Sequence, residues 1–277
     1  MKKKRSIYES LNKDFKKGIK RFFWFSYTTI KYSILSLMFY LYKKKISSYK
    51  ISLLLPTRER SQKFERMLNS LIFTSFNKSR LEILLLLDEN EPEINSYKKI
   101  LENNSQKINI KIIIQNLSTH ALRNNYLASK SIGDILFPIN DDLIFVSKNW
   151  DNYLDLEFSK INMNKPNCLW IDSGKKYNYL HTDFPIINRS WYERLGYVGS
   201  EYFNFWYLDA WICDLSFKSK KFLVSRKIKV NQLSADTFQN ECDNTFLKNK
   251  RNGIPEKDFV IWKNTESKRK LDAKKLL

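Results

Sequence analysis

The sequence has few of the residues that cross-link small secreted proteins or bind metals through sulfur. It contains three cysteines in 277 residues, and their positions (Cys168, Cys213 and Cys242) match neither a disulfide framework nor a sulfur-ligated metal site. This excludes a disulfide-stapled domain and predicts a reduced, cytosolic protein. Histidine is scarcer still, with only His120 and His181.

The sequence also lacks a clean membrane-spanning segment. Phe22–Tyr42 is apolar and long enough to cross a bilayer, but Lys31 falls in its middle and both flanks are basic. A central lysine costs about 2.5–3.5 kcal/mol in a spanning helix. Three interpretations stay open: an interfacial helix with Lys31 reaching the surface, a single span, or a helix packed on the globular domain. No small-residue cleavage site follows, which argues against a cleaved signal peptide.

The positive charge is concentrated at the two ends of the chain. The net charge is +20; residues 1–50 carry +12, residues 246–277 carry +6, and the remainder carries only +2. A nucleic-acid enzyme usually has basic residues along its working groove, so basic ends favour an anionic membrane surface instead. We therefore expect a cytoplasmic protein at the inner face of a membrane. The alternative is that the lysine-rich ends are simply solvated surface.

Hydrophobic residues make up 43% of the chain and aromatic residues 15%, which excludes a disordered protein. Nearly all-apolar segments alternate with helical patterns, and this alternation predicts an α/β fold with a mostly parallel central sheet and helices on both faces. The predicted strands are Ile51–Pro56, Leu81–Leu87, Ile108–Ile114 and Ile135–Ile139. Helices are predicted from Ser61, over Ile94–Asn103 and over Ser118–Ile132.

The stretch Ser131–Phe145 carries the strongest chemical signal. A turn at Gly133 leads into an apolar strand, and Asp141 and Asp142 follow where that strand ends. Adjacent carboxylates between apolar residues are costly unless a cation or hydrogen bonds meet them, so the pattern favours a metal and diphosphate site. Ordinary turn or helix-capping chemistry is the alternative.

Two other polar positions follow predicted strands of the same sheet. Thr57 and Arg58 come after the first strand, and Asp88 comes after the second. Parallel sheets bind ligands at the carboxyl ends of their strands. These residues are therefore expected to share one crevice with the aspartate pair.

The order of these segments resembles a family 2 glycosyltransferase of the A-type fold. It is similar to the bacterial and phage branch that has a PTRGRP-like opening and a GDD-like metal motif. The segments are PTRER at 56–60, LLLLDENEP at 84–92, ALRNNYLASKSIGDILFPINDD at 121–142, HTDFPIINRSWYERLGY at 181–197 and YLDAW at 207–211. The resemblance covers roughly residues 50–240.

The resemblance also suggests how the chain is divided. It implies a catalytic domain over 50–240, with a nucleotide-sugar half at 50–148 and an acceptor half at 149–240. Outside it lie a basic and hydrophobic N-terminal extension, 1–49, and a basic C-terminal tail, 241–277, which we expect to be helical.

The resemblance implies a nucleotide-sugar donor and a divalent cation, Mn²⁺ or Mg²⁺. By position, Pro56, Thr57 and Arg58 would line the nucleotide base, and Asp88 would accept a hydrogen bond from the base or ribose. Arg123 and Asn124 would lie near the diphosphate, with a solvated helix charge as the alternative for Arg123. Asp142 would bind the metal, and Asp141 would support the ribose or the metal shell.

The second half is expected to hold the acceptor, a glycan or lipid-linked saccharide. The resemblance makes Asp209 the catalytic base of an inverting transfer, and Asp214 is expected to face solvent on the same helix. His181, Trp206 and Trp211 are candidate acceptor-binding residues. The aromatic run 202–207 could stack on a sugar or belong to the core.

The chain departs from the family pattern at three positions, the first of which is Asn140, in the place of the glycine of the GDD-like motif. Glu59 stands where the family has a glycine, and the stretch 230–236 lacks the histidine that completes the metal shell in many relatives. Gln232 or Asp236 could substitute for it. A catalytically silent nucleotide-sugar-binding protein is therefore the first alternative, and a basic nucleic-acid-binding protein, for which no motif is found, is the second.

Overall fold

The computed structural model describes residues 48–174, 182–233 and 244–277. The strands within these ranges are β1 (Ile51–Pro56), β2 (Leu81–Leu87), β3 (Asn109–Ile114), β4 (Ile135–Pro138), β5 (Leu143–Phe145), β6 (Cys168–Asp172), β7 (Ile186–Asn188) and β8 (Phe222–Gln232). The helices are α1 (Ser61–Thr74), α2 (Ile94–Glu102), α3 (His120–Lys130), α4 (Trp150–Phe158), α5 (Arg189–Leu195), α6 (Leu208–Ser219), α7 (Asn244–Arg251), α8 (Ile254–Asn264) and α9 (Glu266–Lys275).

The strands form one mixed sheet in the order β3-β2-β1-β4-β7-β6-β8-β5. Strands β1 to β4 are mutually parallel, because helices α1, α2 and α3 return the chain to the same end of the sheet each time. Antiparallel pairs join β4 to β7, β7 to β6 and β8 to β5. The predicted mostly parallel α/β sheet is confirmed.

Both faces of the sheet are covered, as the all-apolar strands predict. One face packs against α1, α2 and α4, with Phe64, Leu68, Tyr97 and Trp150 fully buried. The other face packs against α3, α5, α6 and α9, with Leu127, Trp191 and Trp211 fully buried. Strands with alternating polar residues would leave one face wet, whereas β1 and β2 bury almost every side chain.

The C-terminal helices pack on the sheet-covering helix α6. Arg269 of α9 donates from Nε to Asp214 Oδ2 at 2.8 Å, and its guanidinium lies 3.7 Å from the ring centroid of Trp262. Tyr197 donates its hydroxyl to Asp272. The prediction that Asp214 faces solvent is wrong: it is buried, because Arg269 and Lys218 neutralise it inside the interface.

No helix in the ranges given above has both the length and the apolar character needed to cross a membrane. The apolar segment Phe22–Tyr42 lies outside those ranges, as do residues 1–47 of the predicted N-terminal extension 1–49.

Candidate functional site

A cavity of about 790 Å³ opens where β1, β2 and β4 end. Its described walls include these residues singled out from the sequence: Pro56, Thr57, Arg58, Asp88, Arg123, Asp141, Asp142, Trp206 and Asp209. They come together because parallel strands present their carboxyl ends at one edge. The prediction that the residues after these strands share one crevice is confirmed.

Asp88 is held between two arginines at one wall of the cavity. Arg58 Nη1 donates to Asp88 Oδ2 at 2.8 Å, and Arg123 Nη2 donates to Asp88 Oδ1 at 2.7 Å. Asp88 is buried, so both ion pairs compensate a carboxylate that has lost its water. Arg123 is therefore fixed at the cavity wall by a salt bridge. Two guanidinium groups at one wall suit the geometry of phosphate oxygens.

Asp141 and Asp142 differ in how firmly they are held. Asp141 accepts a hydrogen bond from Thr57 Oγ1 at 2.5 Å on one oxygen and from Arg60 Nη1 at 3.2 Å on the other. Among the described residues, Gln232 makes the side-chain hydrogen bonds to Asp142, and both are long, at 3.3 and 3.4 Å from its Nε2 atom. Pairing of β5 with β8 places Gln232 opposite Leu143, directly beside Asp142. Asp142 is thus the less engaged carboxylate of the pair.

Burial raises the pKa of Asp142 to about 6, and the neighbouring Asp141 carboxylate adds to the shift. Arg60, Gln232 and Lys63 oppose it without cancelling it. A bound cation would stabilise the ionised form of Asp142, which burial disfavours.

The chemistry of this donor set fits a hard divalent cation. Asp142 and Asp141 offer carboxylate oxygens, and Gln232 offers an amide oxygen once its side chain rotates. Mg²⁺ is commonly bound by one or two carboxylates, with waters and substrate phosphates completing the shell. In the described ranges, no group of three or more histidine, cysteine, aspartate or glutamate side chains is placed to hold a metal.

We expect Asp142→Asn to stabilise the metal-free protein at neutral pH. With a folded-state pKa of about 6, against 3.8 ordinarily, the folded wild type binds more protons than the unfolded chain between these values. Its stability therefore falls as pH rises from about 4 to about 6. The variant lacks the titrating carboxyl group and does not lose this stability. Above pH 6 its free energy of unfolding should exceed that of the wild type by on the order of 1–3 kcal/mol, since one pKa unit is about 1.4 kcal/mol.

Denaturant unfolding in the presence of a chelator, at a series of pH values, checks this expectation. Glu102→Gln, at the exposed end of α2, is the control and should track the wild type. A stability difference between Asp142→Asn and wild type that stays constant from pH 4 to pH 7 would contradict the expectation.

In the turn after β1, Glu59 has a backbone conformation that glycine usually adopts. Glu59 has φ +53°, the left-handed region that costs about 1–2 kcal/mol for a residue with a Cβ. Its N–H donates to both carboxylate oxygens of Glu91 at 3.1 Å, and the next N–H, of Arg60, donates to the Tyr97 hydroxyl at 3.1 Å. These contacts hold a left-handed conformation that glycine adopts more readily than glutamate. They direct Arg58 and Arg60 to the cavity.

The aromatic run 202–207 is divided between the core and the wall of the cavity. Phe203 is buried in the core, against Trp211 and Trp262. Phe205, Trp206 and Tyr207 line the cavity instead. Asp209, in the first turn of α6, follows them on the same wall.

Two predicted site residues lie away from this cavity. Trp211 is fully buried because its ring packs between Phe203 and the Arg269 guanidinium, so it cannot touch an acceptor there. Asn124 is fully buried on the inner side of α3, where its amide donates to the His120 carbonyl. Neither residue lines the cavity, so nothing in its described walls supports the acceptor role of Trp211 or the donor role of Asn124, and both roles stay predictions. His181 and Asp236 lie outside the described residues.

The cavity also contains residues that the sequence analysis assigned no role: Arg60, Lys63, His120, Asp183 and Lys248. Arg60 and Lys63 come just after β1, so the strand-end rule that selected Arg58 could have found them. Burial, with Arg123 and Arg60 nearby, lowers the pKa of His120 to about 4, which makes it a neutral hydrogen-bonding group. Lys248 belongs to α7, and nothing in its local sequence points to the cavity.

Comparison with known proteins gives a fold and no sequence family. No protein-family profile matches the chain, and no curated protein matches it. Among solved structures, it is similar to a mannosyltransferase from Pyrobaculum calidifontis in complex with GDP-Man and Mn²⁺, with a TM-score of 0.56 and 11% identity over 76% of this chain and 68% of that one. The chain has the A-type glycosyltransferase fold.

Two further solved structures show the same likeness. TarS 1-349 of S. aureus in complex with UDP has a TM-score of 0.52 and 16% identity, covering 69% of this chain and 63% of that one. GalNAc-T7 with UDP, GalNAc and Mn²⁺ has a TM-score of 0.54 and 14% identity, covering 66% of this chain and 43% of that one. The matched part is thus less than two thirds of either protein, and identities this low establish the fold alone.

Proposed function

We propose that this protein is a glycosyltransferase that moves a sugar from a nucleotide-sugar donor to a hydroxyl group of an acceptor, a glycan or a lipid-linked saccharide. The observation that carries the proposal is the cavity at the strand ends, which Asp141 and Asp142 line together with Arg58, Arg60 and Arg123. The three solved structures compared above are complexes with GDP-Man or UDP, and two of them also contain Mn²⁺.

The donor half of the cavity has the charges that a nucleoside diphosphate requires. Arg58 and Arg123 bring guanidinium forks to a wall where Asp88 fixes their orientation. Asp142, with Asp141 and Gln232 beside it, would hold Mn²⁺ or Mg²⁺. The cation, when bound, offsets the charge that grows on the departing diphosphate. Asp88 would also accept a hydrogen bond from the ribose or base.

Asp209 supplies the proton acceptor for an inverting transfer. In a direct displacement the acceptor oxygen forms a bond to the anomeric carbon while the bond from that carbon to the donor phosphate oxygen breaks. The hydroxyl proton must leave as the new bond forms, and a carboxylate at the cavity wall can accept it. His120 stays neutral and offers a hydrogen bond without competing for that proton.

Donor binding by the full chain tests the proposal. The protein would be titrated by calorimetry with UDP-, GDP-, dTDP- and CMP-sugars, with Mn²⁺ and with a chelator. We expect one donor class to bind, and to bind more tightly with Mn²⁺. Slow hydrolysis of that donor would mark an active transferase.

Two results would change the assignment. If a donor bound but was never hydrolysed or transferred to any acceptor, the protein would be a silent nucleotide-sugar-binding protein of this fold. If no nucleotide bound at all, the proposed function would be wrong although the fold would stand.

A further inference from the structure

A second cavity, of about 400 Å³, lies beside the first. Trp206, Tyr207 and Asp209 line both cavities, so the two spaces meet at the proposed catalytic base. The second cavity continues away from the strand ends between α6 and α8. Its other walls include Ala210 and Trp262.

The lining of this second cavity combines flat apolar surfaces with a carboxylate. Three aromatic side chains, Trp206, Tyr207 and Trp262, share it with small apolar groups and with Asp209. Aromatic rings with polar tips bind ligands that have apolar faces and hydroxyl edges, which is the character of a pyranose ring. A carboxylate at the junction would accept a hydrogen bond from one ring hydroxyl. The volume lies within the range of small-ligand sites, about 300–1,000 Å³.

The loop that forms the shared wall is held by a residue of the C-terminal helices. Asp258 of α8 is fully buried, and its carboxylate accepts hydrogen bonds from the backbone N–H groups of Asn204, Phe205 and Trp206 at 2.9 Å each. The Asn204 side-chain amide donates to it at 2.8 Å. A loop without strand or helix partners would otherwise bury these N–H groups unsatisfied.

Asp258 therefore fixes the entry to α6. Tyr207, the next residue, has φ +70°, a conformation that a residue with a Cβ adopts only when its surroundings impose it. Its ring stacks on Trp262 with centroids 5.3 Å apart, and Asp209 follows two residues later. The segment predicted as a basic tail thus positions the wall on which Asp209 stands.

We propose that this second cavity, bounded by α6 and α8 and shaped by Asp258, is the subsite that binds the sugar ring of a saccharide acceptor. The inference rests on the proposed function for the identity of the reaction. It deepens that function by locating the acceptor's sugar ring in the second cavity and by giving the C-terminal helices a part in acceptor binding. Asp258 acts as a positioning residue, through the loop 204–206.

Tryptophan fluorescence of the full chain tests the subsite directly, because Trp206 and Trp262 line it. The probes are the methyl glycosides of glucose, galactose, mannose and N-acetylglucosamine. We expect a saturable change with at least one glycoside. Ala210→Phe, which fills the second cavity from α6, should weaken that binding by about 10-fold or more because the added ring occupies the ligand's space.

Val260→Phe is the matched control, since it adds the same ring to an exposed position of α8 outside the cavity. It should bind the glycoside like wild type. Nucleotide binding, measured by calorimetry on the same samples, should be unchanged in Ala210→Phe because Ala210 lines only the second cavity.

Asp258→Asn gives a second test if Ala210→Phe fails to fold. Asparagine keeps the shape of the side chain but removes the negative charge that accepts hydrogen bonds from four N–H donors. The loop 204–206 should therefore shift. We expect glycoside affinity, or the KM for a saccharide acceptor, to worsen by about 10-fold while the nucleotide Kd stays unchanged. A merely structural role for Asp258 would weaken both ligands together, and that result would overturn the positioning role.

The outcomes separate this inference from the proposed function. If nucleotide binds but no glycoside changes the fluorescence, or if Ala210→Phe binds the glycoside as wild type does, the acceptor subsite is overturned and the proposed function stands. If a glycoside binds in the predicted way but no nucleotide does, the saccharide subsite is supported and the transferase proposal is wrong.

Discussion

Replacing Asp209 with asparagine is expected to lower the rate of sugar transfer by about 10²–10⁴-fold, the contribution typical of a positioned general base. The substitution keeps the shape of the side chain and removes the group that would accept the hydroxyl proton. Asp209 belongs to α6, whereas the proposed donor-binding residues follow the strand ends or lie on α3. The Kd of the donor should therefore change little. The measurement is kcat for transfer to a saccharide acceptor, with donor Kd from calorimetry.

Glu201→Gln is the matched control for this loss. Glu201 is an exposed carboxylate before the same loop and lies outside the described lining of the cavity. It should retain full activity. Near-normal turnover in Asp209→Asn would show that another group accepts the proton. Asp183, which also lines the cavity, would then be the first to test.

Asp142→Asn is expected to abolish the Mn²⁺ dependence of donor binding, weakening binding in the presence of Mn²⁺ by about 10²-fold or more, since a bound cation contributes several kcal/mol to diphosphate sites. Among the described contacts, those to Asp142 are longer than those to Asp141, and burial raises the pKa of Asp142 because it disfavours the charged form. Calorimetric titration of the donor with Mn²⁺ and with a chelator gives the two affinities.

The neighbouring Gln232 provides a graded comparison for Asp142. Gln232→Ala removes an amide oxygen, a weaker ligand than a carboxylate, and should reduce the Mn²⁺ effect by about 10-fold or less. Glu102→Gln should leave it intact. If Asp142→Asn kept the full Mn²⁺ effect while Gln232→Ala lost it, the assignment of Asp142 as the main metal ligand would be wrong. If the wild type showed no Mn²⁺ effect, metal assistance itself would be wrong.

The sheet could be predicted from the sequence because its strands are local and buried on both faces. Leu81–Leu87 was predicted with its observed bounds, and Ile51–Pro56 likewise. A run of apolar residues between turn signals needs no tertiary information to be recognised. The strand ends then give Arg58, Asp88 and Asp142 together, since the carboxyl ends of parallel strands share one edge.

The sequence contains no indication of a side chain's surroundings where distant segments supply them. Trp211 has the type of an acceptor-binding residue, but Phe203 and Arg269 enclose it. Asp214 has the type of a surface charge, but Arg269 approaches it from 55 residues further along the chain. Neither enclosure has a signal in the local sequence, because residue type gives a preference for burial and only packing decides it.

The amino-acid sequence by itself determined the alternation of strands and helices, the parallel half of the sheet, and the carboxylates and arginines that follow the strands. Periodicity and apolar runs act over short stretches, so they can be read without coordinates. The tertiary structure alone decided that Glu91 would support the left-handed Glu59. It alone brought Asp258 to the loop before Asp209, because a buried carboxylate's partners are set by which distant backbone groups the fold leaves unsatisfied.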